Sequence, residues 1–230
     1  MIAAQDNDQN FVDKYFIQIE KFFEKPSTTI IIGPMGSGKT TQALQLMNFL
    51  KSQDPFKRKV FLVETRKIYQ RWLGKKDANR EYIKNIISNF AKDNHMLPPA
   101  FVAKLWFGHL EKRYTSNEHV IIEGSPRSEH EAYLLMDILS DQLFCVPKPI
   151  NLITFHNIHM DTAIARLKKR DGEKFIESKE KERELIIYTE QATNVHFWIA
   201  GKKEISSHAV DASGTVEEVY LEMQKKILGI

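Results

Sequence analysis

One stretch constrains this chain more than any other: Gly33-Pro34-Met35-Gly36-Ser37-Gly38-Lys39-Thr40 meets every fixed position of the pattern G-x-x-x-x-G-K-[ST]. Glycines at this spacing let a backbone fold around an anion and turn its N–H groups inward. The β-branched run Thr28–Ile32 stops at Gly33, and apolar residues resume helical spacing over Thr40–Lys51. A strand that ends in such a loop and feeds a helix aims amide donors and the positive end of a helix dipole at phosphate. Lys39 then reaches the β and γ oxygens of a triphosphate, and a hydroxyl from Thr40 or Thr41 helps to hold Mg²⁺. Gly33–Thr41 is therefore expected to bind ATP or another nucleoside triphosphate, with Mg²⁺ as its companion.

Four further apolar runs, Val60–Val63, Val120–Ile122, Ile150–Phe155 and Ile205–Val210, read as strands. Helical patterns lie between them at Lys67–Leu73, Ala78–Ala91, from Pro99 to about Lys112, Glu129–Leu139 and Met160–Arg170, and Thr215–Leu228 closes the chain. A charged stretch, Glu173–Glu184, leads into an apolar helical face through Trp198. Before the first strand, Phe11, Tyr15, Phe16, Ile19, Phe22 and Phe23 give Asp8–Glu24 an amphipathic helical reading. Short strands alternating with helices predict an α/β fold of three layers, a five-stranded parallel sheet with helices on both faces and a short lid. Ligands of such sheets bind beyond the carboxyl ends of the strands, where Gly33, Glu123 and His156 stand.

With 230 residues the chain is expected to form a single domain, its core about 26–64, 114–160 and 185–230. An acceptor-binding insert is expected at about 65–113 and the lid at about 166–184. The net charge of +3 is too small to argue for nucleic acid or a membrane as partner; small-molecule nucleotides fit it, and a monomer is expected. Cys145 is the only cysteine, in an apolar run, so no internal disulfide can form and a cytoplasmic, reducing setting is expected.

The sequence resembles the adenylate kinase family, the nucleoside monophosphate kinases. The stretch from Gly33 to Gln42 is similar to that family's G-x-P-G-x-G-K-G-T-Q, with Thr40 where the family has glycine. Ile121-Ile122-Glu123-Gly124-Ser125-Pro126-Arg127, followed by Glu131-Ala132, is similar to D-G-F-P-R … Q-A. Arg166-Leu167-Lys168-Lys169-Arg170 is similar to the R-l-x-x-R that opens the family's lid, and Val210-Asp211-Ala212-Ser213-Gly214 to its closing strand and turn. The resemblance implies that Lys39, Arg127 and Arg170 are catalytic, with Lys39 neutralising the phosphates during transfer and Arg170 gripping the donor's phosphates. In the same way it implies that Arg127 grips the acceptor's phosphate, Arg166 stacks on the donor base, and Glu123 acts on Mg²⁺ through water. Fixed cations around a phosphoryl group suit a transition state whose charge spreads over its oxygens.

Three departures from the family pattern matter. The acceptor stretch S-T-G-d-l-l-R survives only as Thr65-Arg66-Lys67-Ile68-Tyr69-Gln70-Arg71, which makes Thr65 and Arg71 acceptor-site candidates with Arg66 as the fallback. Glu131 replaces the glutamine that reads adenine; a carboxylate accepts but does not donate, which disfavours AMP, unless Glu131 is simply an exposed helix residue. The lid lacks the family's paired aspartates and later arginine, for which Lys174 or Arg183 could substitute. The leading expectation is transfer of the terminal phosphate of ATP to a nucleoside monophosphate. The alternatives are a P-loop kinase of another small acceptor and a nucleotide-binding protein that has lost catalysis.

Overall fold

The computed structural model describes residues 16–74, 78–94, 97–115, 117–140, 147, 150–172 and 179–230. Residues 8–15 of the expected amphipathic helix, Cys145 and Lys174 lie outside them. All five expected strands form: β1 (Thr28–Ile32), β2 (Val60–Glu64), β3 (His119–Glu123), β4 (Ile150–His156) and β5 (Ile205–Asp211). They pair in parallel in the order β2-β3-β1-β4-β5. Helix α1 is described over residues 16–22, and eight more follow: α2 (Lys39–Gln53), α3 (Thr65–Leu73), α4 (Ala78–Asn94), α5 (Pro99–Arg113), α6 (Glu129–Ser140), α7 (Met160–Asp171), α8 (Lys179–Ala200) and α9 (Val216–Leu228).

Every residue of β1 and β3 is buried, which is why both read as continuous apolar runs and not as alternating ones. The two faces of the sheet carry separate cores. Ile30, Ile32, Val120 and Ile122 pack with Ile68, Trp106, Leu135 and Val195, from α3, α5, α6 and α8. Ile31, Ile121 and Ile153 point the other way, onto Leu46 of α2, Met223 of α9 and Phe23. Odd and even residues of one strand thus serve different layers, as the period of two requires. Each such side chain contributes roughly 1.5–3 kcal/mol on burial. Among the described residues, no helix is long and apolar enough to cross a membrane.

β1 lies between β3 and β4, so the connection from β1 to β2 and the one from β3 to β4 run toward opposite edges of the sheet. A crevice opens where they diverge, at the carboxyl ends of these strands. Gly33 follows β1, Glu123 ends β3 and His156 ends β4, all at that edge.

The expected lid span of about 166–184 runs from the end of one helix into the start of the next. Residues 166–171 belong to α7 and 179–184 to α8; residues 173–178, between them, lie outside the described residues. The charged stretch read as a lead into a helix is itself helical from Lys179 onward. Helix α9 begins as its sequence demands: Thr215 accepts from the Glu218 amide while Glu218 accepts from the Thr215 amide, a reciprocal cap.

Candidate active site

The loop after β1 is built by backbone conformations that only glycine adopts without strain. Gly36 has φ +78° and Gly38, which caps α2, has φ +88°. Space matters as well at Gly36, where a Cβ would stand 2.8 Å from the Ala163 carbonyl oxygen and 2.9 Å from its Cα. At Gly38 a Cβ would meet nothing within 4 Å. Gly36→Ala is therefore expected to destabilise the fold by more than the ~1–2 kcal/mol that a left-handed conformation costs by itself, whereas Gly38→Ala stays near that figure. Chemical denaturation of both variants checks the order.

Side chains then brace the loop. Ser37 Oγ donates to the Pro34 carbonyl at 2.8 Å. Lys39 Nζ donates to the Gly33 and Pro34 carbonyls at 2.9 and 2.6 Å, so the ammonium is held inside the loop that must receive the phosphates. Met35 turns away and packs with Met160 against Ile164, Leu167 and Leu185, fixing the loop to α7 and α8. The first turn of α2 has no acidic residue, which leaves its dipole uncompensated and open to an anion.

Thr40 Oγ1 donates to Glu123 Oε1 at 2.9 Å, joining the start of α2 to the end of β3. The pair presents two hard oxygens near Lys39, a donor set that suits Mg²⁺, with Thr40 as a direct ligand candidate and Glu123 acting through water. Of the two candidate hydroxyls, Thr40 has this position; the Thr41 hydroxyl makes no hydrogen bond among the described residues.

Glu123, Arg127 and Arg170 all act on Lys39. Burial brings its pKa down to about 8; Glu123 opposes this, and Arg127 and Arg170 add to it. Three positions, each more than eighty residues from Lys39 in sequence, thereby act on one ammonium group. Arg127 is tightly seated. Its amide donates to Glu131 Oε2 at 2.9 Å, its Nε donates to the Gly124 carbonyl at 2.8 Å, and its guanidinium carbon lies 5.8 Å from the centre of the Tyr188 ring.

Glu131 is 1% exposed, which excludes the exposed-helix reading. Its carboxylate brackets the turn that carries Arg127, and burial pushes its pKa up, with Arg127 opposing. Arg166 donates to the Ala212 and Gly214 carbonyls at 3.0 and 3.1 Å, tying α7 to the turn after β5. Arg170 forks onto its neighbour Asp171 with two bonds of 2.7 Å. Of the lid candidates, Arg183 is exposed on α8.

The acceptor candidates separate. Thr65 is the first residue of α3, 1% exposed, and its hydroxyl accepts from Trp106 Nε1 at 3.0 Å. Arg71 is exposed in the last turn of α3, about 9 Å further along the axis by helical rise. There it acts on His109, whose pKa is brought down to about 4 by burial first, then by Arg113 and Arg71. Arg66, also exposed, is in the first turn of α3 and nearer the Thr65 end. Sequence reasoning passed over Tyr188, which lies on α8 with no motif around it, and over the Trp106 donor to Thr65. The one available signal for Tyr188 was its place in an apolar helical stripe.

A glycine loop on a buried parallel strand, a lysine within it, a Thr–Glu oxygen pair and a helix N-terminus define a nucleotide-binding protein of the P-loop NTPase class with a kinase-like fold. Two solved structures share that fold. One is a gluconokinase from Sinorhizobium meliloti 1021, 13% identical over 88% of this chain and 91% of that one, TM-score 0.52. The other is Kti12 of Chaetomium thermophilum in complex with ADP-AlF3, 12% identical over 87% of this chain and 98% of that one, TM-score 0.51. By sequence, the chain belongs to the family described as type III restriction enzyme, res subunit, which it matches over residues 3–137. No curated protein matches the sequence. These likenesses establish the P-loop class and do not single out the adenylate kinase family.

Proposed function

We propose that this protein is a phosphotransferase that moves the terminal phosphate of Mg²⁺·ATP to a small acceptor, with a nucleoside monophosphate as the acceptor class. The observation that carries this reading is the seating of Arg127. Its backbone and Nε are fixed by Glu131 and Gly124, and its charge is felt at Lys39. A second phosphate, brought in by an acceptor, is the partner that such an arginine suits, because guanidinium matches phosphate in two-point contact.

The chemistry follows from the placement. Lys39 leaves the Gly33 and Pro34 carbonyls for the β and γ oxygens and offsets their charge. Thr40, and Glu123 through water, would hold Mg²⁺, which would supply neutralisation of phosphate charge. Arg127 holds the acceptor in line, and Arg170 adds positive charge on the α7 side. Arg166, held by carbonyls of the turn after β5, shapes the donor side of the loop. Since Glu131 faces the Arg127 amide, it is not the residue that selects the acceptor's base.

A second reading is triphosphate hydrolysis without a small acceptor, which the match to a restriction-enzyme subunit family favours. One assay separates the two. The protein is incubated with Mg²⁺·ATP and AMP, GMP, CMP, UMP or dTMP, and both diphosphate and inorganic phosphate are followed. The expected result is conversion of at least one monophosphate to its diphosphate, reduced about 10²-fold or more in Arg127→Ala while ATP affinity is kept. Phosphate release that no acceptor alters supports hydrolysis instead. A response only to other hydroxyl or phosphate acceptors retains phosphotransfer but removes the monophosphate.

A further inference from the structure

Helix α8 turns an inward stripe toward the sheet. Leu185, Ala192, Val195 and Ile199 recur at intervals of seven, three and four residues and are at most 7% exposed. Tyr188 falls in the same stripe, at the end that emerges over the crevice, and is half-buried. An aliphatic residue would complete the packing there. Instead, an aromatic ring faces the Arg127 guanidinium at 5.8 Å.

The other contacts of Arg127 leave one freedom open. The Glu131 carboxylate fixes its amide and the Gly124 carbonyl fixes its Nε, which pins the base of the guanidinium. Rotation that swings the two terminal nitrogens is restrained from one side by the Tyr188 ring, whose negative face attracts the cation. Leu185, one turn earlier on α8, is locked against Ile164, Leu167 and Met35, so the ring stands in a fixed relation to the phosphate loop.

We propose that Tyr188 is a positioning residue that orients Arg127 for the incoming acceptor phosphate through the face of its ring. The proposal rests on the phosphotransferase reading. It links α8 to the acceptor side of the site.

The test compares Tyr188→Leu, which keeps the stripe apolar, with Tyr188→Phe, which keeps the π face. In the monophosphate kinase assay, Tyr188→Leu is expected to raise KM for the acceptor about fivefold with KM for ATP unchanged. Tyr188→Phe should recover the wild-type values. In an Arg127→Ala background, Tyr188→Leu should have no further effect beyond about twofold, because the residue it orients is gone. Independently of turnover, the Arg127 Nε–H resonance of the free protein should move in Tyr188→Leu and stay in place in Tyr188→Phe, and inorganic pyrophosphate should shift it less in the leucine variant. The proposal is overturned if the phenylalanine variant behaves like leucine, if the leucine effect persists without Arg127, or if the resonance is unmoved. A wild-type protein that phosphorylates no monophosphate overturns the functional reading instead, and the resonance then decides the role of Tyr188 alone.

Discussion

Lys39→Ala is expected to lower turnover of Mg²⁺·ATP by about 10³-fold, equivalent to ~4 kcal/mol of lost transition-state stabilisation, with the fold intact. The reason is that Lys39 is placed but poorly satisfied in the free protein. Its ammonium is drawn into the loop by the Gly33 and Pro34 carbonyls, yet burial and the nearby Arg127 and Arg170 hold its pKa down at about 8. The folded state thus binds this proton less readily than the unfolded chain does. The charged lysine weakens the fold at neutral pH, and that effect is relieved as pH rises from about 8 toward its ordinary value of 10.5. Triphosphate reverses the balance by supplying negative charge. Two measurements follow from this. By calorimetry, the affinity of the wild-type protein for Mg²⁺·ATP should decline as pH rises through about 8, and Lys39→Arg should lack that decline. Thermal unfolding of Lys39→Ala without nucleotide should show stability equal to or above wild type, although binding is lost. A large loss of apo stability would mean that Lys39 serves the loop's structure and not the phosphates.

The largest effect on stability is expected at the opposite end of the sheet. Asp54 and His119 are both 0% exposed. Asp54 accepts from the Phe56 and Arg58 amides at 3.0 Å each, from the Arg58 guanidinium at 3.5 Å, and from His119 Nε2 at 3.3 Å. His119 Nδ1 accepts from the Ser27 amide at 3.0 Å, which assigns the ring proton to Nε2. Phe22 and Phe23 close over the ring, one stacked and one edge-on. One carboxylate therefore organises the turn after α2, the start of β1, the start of β3 and the residues that follow α1. Asp54→Ala leaves several buried donors without an acceptor and is expected to cost about 3–5 kcal/mol, lowering Tm by roughly 10 °C. Denaturant and thermal unfolding measure it.

The same site sets a pH dependence. Burial lowers the His119 pKa, and Asp54 opposes that shift without cancelling it. The stability tied to the neutral ring is fully present above the ordinary histidine pKa of about 6.5 and is lost as pH falls below it toward the folded value. His119→Gln, which can accept from Ser27 and donate to Asp54, should flatten that acid slope. An unchanged slope would assign it to other groups.

Much of the site was legible because phosphate binding imposes local rules. A left-handed glycine, a lysine one position past the loop and a hydroxyl beside it must be close in sequence, and Gly36, Gly38, Lys39 and Thr40 are. The strands were legible for a similar reason: β1 and β3 are buried throughout, so their β-branched runs admit few other readings. Residues whose roles depend on partners from distant segments were not legible. Glu131 looked equally like a base reader and a surface residue until its carboxylate was seen to hold the Arg127 amide. Arg71 matched an acceptor arginine by register, yet the axial rise of α3 carries it to His109 and Arg113. Asp54 carried no motif at all.

The sequence by itself determined that a polyphosphate site follows the first strand of a parallel α/β sheet, since glycine conformation, strand burial and helix spacing are written in neighbouring residues. Only the tertiary structure decided which distant side chains meet there. Strand order brought Glu123 to Thr40 and Arg127 to Lys39, and α8 brought Tyr188 over Arg127. The physical reason is that these encounters depend on the crossings of chain segments over the sheet, and no local conformational preference encodes which strand lies beside which.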